Sequence, residues 1–437
     1  MKSGEPCESP RRSWALSVFQ RFWPGKSDLI AQLPIPEIVM ARAAESPLLL
    51  EVMLPDWARD LGIAGHLLVP ASALAASDEQ EAWRRCDWLS AAAWYLDAVA
   101  EREHELRNGP LHSYATRLVG WDERLWSHAW VNRMALFLRR WTARQMGRDE
   151  ALLFGPLPVA RVVLTHDVDA LAKTSSIRLK QSMFQAFNAV RALRDGDFAA
   201  AGQRARQFLK VLTSRESYWC FERIFALEQQ AGVQSMFFFH ARDPGPRNIH
   251  LRLVDPAYHG RSPALARAVA VVRQHGADIG LHPSFAAWQD EAALARERRN
   301  LEALSDSSVI AVRQHWLRFS WQHTWAAQAR AGLRHDFTVG FNDRPGFRLG
   351  AALTFPPFGM HANSAFLVTP TVMMDSQFYD YAELSEANRG VAMSHWLSEL
   401  NHTCGEGAVI WHQQVFNRDY GWQSGYETLL EQLRAGT

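Results

Sequence analysis

At 437 residues the chain is long for a single core and is expected to form two domains. A formal net charge of +1 gives no whole-chain field for nucleic acid, and 48% hydrophobic with 21% charged residues is an ordinary globular composition. Four scattered cysteines (Cys7, Cys86, Cys220, Cys404) contain no CxxC pair, which argues against a disulfide framework and a cysteine-built zinc site.

The leading segment Met1–Cys7 lacks the apolar core of a secretion signal. No run of about 18 apolar residues is present to span a bilayer. A cytoplasmic protein is therefore expected. Residues 1 to about 30 read as irregular, with Pro6, Pro10 and Pro24. From there to residue 158 the pattern predicts a mainly helical N-terminal domain. One helix is predicted over Glu79–Glu105. A second is predicted over Asp122–Met146, where Trp126, Trp130, Met134, Leu138 and Trp141 recur at spacings of four and three and Asp122 can cap. This half shows no catalytic pattern and reads as a packing or substrate-shaping unit.

Gly155-Pro-Leu-Pro158 marks a boundary. After it, short apolar strands alternate with helices. Strands are predicted over 162–165, 235–240, 278–282, 309–313, 337–341, 366–373 and 408–412. Helices are predicted over Tyr218–Ala231, Pro263–His275 and Glu291–Leu304. Such alternation implies an α/β fold: a parallel sheet with right-handed crossovers, closing barrel-like over 159–437, with a site at the carboxyl ends of the strands. A basic helical insertion at about 171–216 interrupts the rhythm. Nine lysines and arginines from Lys173 to Arg215 face only Asp195 and Asp197. Such a run is usually a solvated helix face. The sharper reading is a lid that meets an anionic glycan, a lipid phosphate or a membrane surface.

The chemistry concentrates at strand ends. Arg161-Val-Val-Leu-Thr-His-Asp-Val-Asp169 runs from a strand into two aspartates that alternation places on one side. Paired carboxylates resist joint ionisation unless a cation accompanies them. One could hold a metal while the other accepts a proton. His166, between them, should face the other way as a structural histidine. His282 ends Ile279-Gly-Leu-His-Pro-Ser284 and suits a ligand. Arg313 and His315 share a strand end, where arginine can hold a carboxylate ionised and His315 can complete the metal set. His412 ends Ala408–His412 and suits a proton donor.

These motifs and their order resemble the polysaccharide deacetylases, the NodB-like carbohydrate esterases, over residues 159–437. Thr165-His-Asp-Val-Asp169 resembles the first motif of a cytoplasmic subgroup, Gly280-Leu-His-Pro-Ser284 the second, Arg313-Gln-His-Trp316 the arginine motif and Ile410-Trp-His412 the last. The resemblance implies a distorted (β/α)7 barrel after the helical domain. It implies Asp167 as general base, Arg313 as its orienter, His412 as general acid, and Asp169 and His282 as metal ligands. Ala286 stands where the second motif has its further histidine, so His315 is expected to supply the third ligand. Asp336-Phe-Thr338 and Gly346-Phe-Arg-Leu-Gly350 look like pocket segments of that subgroup.

The implied reaction is hydrolysis of an N-acetyl group on an amino sugar, within surface-polysaccharide metabolism. A divalent metal, zinc first among those suited to aspartate and histidine, would activate the attacking water. The substrate would be an N-acetylated glycan or glycolipid precursor, with Phe285, Trp288, Trp316, Phe319 or Trp411 as stacking surfaces. Nucleic acid is not expected, and peripheral membrane contact through the basic insertion stays open. Two rivals remain. One is another amidase, or a glycosidase using Asp336, Asp343 or Asp375 as a second carboxylate. The other is a non-catalytic glycan-binding module.

Overall fold

The computed structural model describes residues 10–38, 46–75, 81–194, 196–245, 249–360, 365–382 and 384–436. The leading segment through Cys7, the start of the helix expected from Glu79, and Asp195 lie outside them.

The stretch expected to be irregular is helical from Pro10 to Val18 and from Ser27 to Ala31. Pro10 opens the first helix, where its missing N–H costs nothing. Phe19, Phe22 and Trp23 then fill the core. A hairpin of β1 (Leu49–Met53) and β2 (His66–Pro70) follows. Both long helices expected here start later than their patterns suggest. Asp87 caps Trp88–Leu96, and Ala98 at φ +48° separates that helix from Val99–Asn108. Asp122 caps a 3-10 turn, Glu123–Trp126, and the helix proper is Trp130–Gln145. That helix is buried on most of its surface, so its polar residues need partners. Arg133 meets Glu399 at 2.6 Å and Arg139 meets Glu150 at 2.8 Å.

The carboxyl-terminal part is built on a parallel sheet. Its strands are β3 (Arg161–Val168), β4 (Met236–Phe239), β5 (Asp278–Leu281), β6 (Ala311–Val312), β7 (His335–Asp336), β8 (Leu367–Val368), β9 (Thr371–Met374) and β10 (Glu406–Ile410). The order β8-β7-β6-β5-β4-β3-β10-β9 curls the sheet. Its edge strands β8 and β9 are separated by only Thr369 and Pro370. Proline cannot donate to a ladder, so it splits the one strand expected over 366–373. The first piece pairs with β7 and the second with β10.

The strand expected over 337–341 is absent. Only His335–Asp336 pairs, and the apolar run after it turns off the sheet. Val339 and Phe341 pack instead into the core of the N-terminal half, which also takes in Phe319, Trp321 and Leu349. A pattern of buried residues does not reveal which neighbour buries them. The basic insertion forms two helices, Ser175–Arg194 and Phe198–Thr213.

Candidate metal centre

The strand ends converge on a cavity of about 990 Å³ lined by Asp167, Asp169, His282, His315 and His412. His166 faces away. Its Nδ1 donates to the Trp411 carbonyl at 2.6 Å, and its Nε2 meets Glu228 at 2.9 Å. It ties β3 to the end of β10 and so aligns two of the strands that carry site residues.

Asp169, His282 and His315 offer three ligand atoms within 4.8 Å of one another. Asp169 Oδ1 lies 3.5 Å from His282 Nε2 and 3.6 Å from His315 Nε2. It is buried without a hydrogen-bond partner among the described residues. The histidines are held by their other nitrogens. His282 Nδ1 donates to the Arg313 carbonyl at 2.7 Å, and His315 Nδ1 faces Asp255 Oδ1 at 3.4 Å. Such outer contacts fix the tautomer and aim the Nε2 lone pair inward. An orphaned carboxylate oxygen and two aimed imidazoles fit a divalent cation.

Charge in the site is strongly biased. Burial raises the pKa of Asp169, but contact with His282 and the charges of His315 and His412 outweigh it and hold the carboxyl well below its ordinary value. Burial lowers His315 below its ordinary value despite Asp255. Burial also opposes charge on His282, yet Asp167 and Asp169 raise its pKa overall.

Asp167 stands beside the triad. Arg313 Nη1 donates to its Oδ1 at 2.8 Å, and Nε donates to the Phe337 carbonyl at 3.2 Å. The guanidinium is fully buried, 4.5 Å from the Phe238 ring centroid. Gly280 makes that arrangement fit, because a Cβ there would come within 2.4 Å of the same ring. Burial raises the pKa of Asp167, and Arg313, followed by His282 and His412, more than reverses this. Removing one partner of a buried pair strands the other's charge. Arg313→Met is therefore expected to cost about 3–5 kcal/mol of stability. Chemical denaturation measures it, and adding Asp167→Asn should recover part of the loss.

His412 approaches from the far side, its Nε2 3.7 Å from Asp169 Oδ2. Its Nδ1 meets Asp375 Oδ1 at 2.9 Å, and its backbone N–H donates to Asp375 Oδ2 at 2.6 Å. Burial would lower the pKa of His412, but Asp375 above all, then Asp169 and Asp167, push it up to about 10. Asp375 thus favours the protonated ring.

Asp255 and Asp375 were not legible as orienters. Asp375 directly follows β9, the same acid-after-strand signal as Asp169 after β3. Asp255 follows a six-residue helix, Ile249–Val254, and has no pattern to mark it. The turn after His315 is strained: Trp316 and Leu317 hold φ of +57° and +44°. Asn342 Nδ2 donates to the Trp316 carbonyl at 2.8 Å, and Ser113 Oγ donates to the Leu317 carbonyl at 2.6 Å. The N-terminal half thus helps hold the loop that carries His315.

Several expected positions fall elsewhere. Trp411 and Phe319 are core, Trp288 is buried, and Phe285 packs against Arg318, 4.0 Å from its ring centroid. Trp316 does line the cavity, joined by Tyr379 and Trp422, whose rings stack at 4.6 Å. Gly346–Gly350 lies at the joint with the N-terminal half, where buried Arg348 meets Glu101 at 2.7 Å. Asp336 is buried away from the cavity under Trp325, Gln328 and Thr338. Asp343 caps Ala115 and Thr116. Asp375 is committed to His412, so none of these three offers the second carboxylate of a glycosidase.

No family model matches the chain, and no curated protein matches it. Among solved structures, one described as a polysaccharide deacetylase from Mycobacterium smegmatis is similar at 16% identity and TM-score 0.36, over 63% of this chain and 83% of that one. A CE4 family pseudoenzyme from Bacillus anthracis is similar at 10% identity and TM-score 0.27, over 63% and 62% of the two chains. A mutant with restored enzymatic activity gives 10% and 0.30, over 63% and 64%. At these TM-scores the likeness carries no argument, and the site is read from its own geometry.

Proposed function

We propose that the protein is a metal-dependent hydrolase that removes the N-acetyl group of an amino sugar. The observation that carries this is the position of the Asp169–His282–His315 cluster between two proton-handling groups, Asp167 and His412, each with its own fixed partner. A divalent ion held there supplies Lewis acidity toward a carbonyl oxygen and lowers the pKa of water. Asp167, kept ionised and oriented by Arg313, accepts the proton of the attacking water. His412, kept protonated by Asp375, gives its proton to the departing nitrogen. Acetate and a free amine result. Stacked Tyr379 and Trp422 and the half-exposed Trp316 offer flat faces to a sugar ring in the cavity.

The test is acetate release from a panel of N-acetylated sugars by zinc-loaded protein, with cobalt in parallel. Turnover on at least one sugar that stops on chelation supports the reading. Metal-loaded protein inert on every member while still binding a glycan would favour the binding-module alternative.

The pH profile adds a prediction. His412 gains proton affinity mainly from Asp375, so the alkaline fall in rate lies above the ordinary 6.5 of histidine. Asp375→Asn removes that support, and the donor loses its proton at lower pH. The alkaline limb of kcat against pH should move toward acid. An unmoved limb would detach His412 from the proton transfer.

A further inference from the structure

The two helices of the basic insertion are turned inside out. Gln181, Gln185 and Asn188 of Ser175–Arg194, with Gln207 of Phe198–Thr213, line the catalytic cavity. This inner face is pinned: Tyr218 Oη donates to Gln181 Oε1 at 2.7 Å, and Lys210 Nζ donates to the Arg418 carbonyl at 2.6 Å. Most of the exposed apolar side chains point the other way, with Phe187 at the cavity rim. Leu179, Met183, Phe187, Val190 and Leu193 recur every three or four residues, which is one face of a helix. All are more than half exposed, with Leu179 at 59%, Met183 at 63% and Val190 at 56%. Phe198, Leu209 and Leu212 extend the exposed surface on the second helix. A helix normally buries such a stripe against its own core. Here polar residues take the inner side and the apolar face is left outward, which marks an interaction surface.

Charge selects the occupant. Residues 173–215 carry nine basic and two acidic residues; of the basic ones, Lys173 is buried against Asp419 and Arg191 and Arg204 line the cavity. Arg194, Arg206 and Arg215 are exposed on the same hairpin. A second copy of the chain would bring like charge to this face. An anionic lipid surface brings the opposite charge and an apolar layer beneath it, which suits a basic amphipathic hairpin lying in the interface. No helix among the described residues is long and apolar enough to cross a membrane. We propose that the outer face of this hairpin docks the protein on the surface of an anionic bilayer, with the catalytic cavity against the hairpin's inner side.

The test is co-sedimentation of the full chain with vesicles of phosphatidylglycerol and phosphatidylcholine, against phosphatidylcholine alone. The triple variant Leu179→Gln/Met183→Gln/Val190→Gln alters only outward side chains, and circular dichroism checks its fold. Binding to the anionic vesicles that falls about tenfold or more in the triple variant supports the proposal. No binding, or equal binding by wild type and variant, overturns it. So does a wild-type dimer in light scattering that the triple variant abolishes without any vesicle binding, since a second copy would then cover the face. The assay needs no substrate, so its outcome is separate from the fate of the hydrolase reading.

Discussion

Asp169→Ala and His315→Ala are each expected to leave the protein without bound metal and without acetate release. Wild-type protein purified without chelator should hold close to one equivalent, as a three-ligand site with open positions does. Asp169 is the hub, because its Oδ1 faces both His282 Nε2 and His315 Nε2 at about the same distance. Removing it leaves two imidazoles with no anionic partner for the ion. Removing His315 takes away one of the three grouped donors. Asp255→Asn should act more mildly, because Asp255 is outside the cluster and meets His315 through Nδ1. A ten- to hundredfold loss of metal affinity, roughly, is the expectation for such an outer contact. Affinity should also weaken as pH falls, because the ion competes with the proton that Asp167 and Asp169 hold on His282. Metal analysis and competition with a chromophoric chelator read all of these. Undiminished metal in His315→Ala would remove that residue from the ligand set and leave the cluster one donor short.

Much of this centre was visible before folding was known, for a physical reason. In a parallel α/β sheet, residues just past the strands gather at one end. An acid or histidine that closes an apolar run is thereby placed in space by its position alone. Asp167, Asp169, His282, Arg313, His315 and His412 all carry that signature; the structure brings five of them around one cavity and sets Arg313 behind Asp167. Strands of two residues, such as β6 and β7, leave a much weaker mark. That is why the run Phe337–Phe341 reads as a strand while the ladder stops at Asp336. The residues that hold the site were harder to see. Asp255 sits on a connection with no period. Ser113 reaches the strained turn at Leu317 from 204 positions away, a contact no local pattern encodes. The hairpin was legible as helical and basic, but which side faced the cavity depended on contacts with the loop at Arg418–Tyr420.

Asp167→Asn is expected to separate proton transfer from metal binding. The two aspartates are one residue apart, yet their surroundings differ. Asp169 faces three histidines, whereas Asp167 is gripped by Arg313 at 2.8 Å and meets His282 only at 3.9 Å. A ligand needs an unshared oxygen, and Asp169 has one. A base needs to stay ionised and in one orientation, and the buried Arg313 does that for Asp167. Asparagine keeps the volume and can still accept from Arg313 through its carbonyl, so the fold and the bound metal should persist, at some cost in stability from the unpaired Arg313 charge. It cannot take a proton from water. The loss of a positioned general base lowers kcat by about a hundred- to ten-thousandfold. KM for the sugar should change little, because the cavity walls are untouched. Loss of the metal in Asp167→Asn would instead make Asp167 a ligand. Activity within a few-fold of wild type would place the base elsewhere in the cavity.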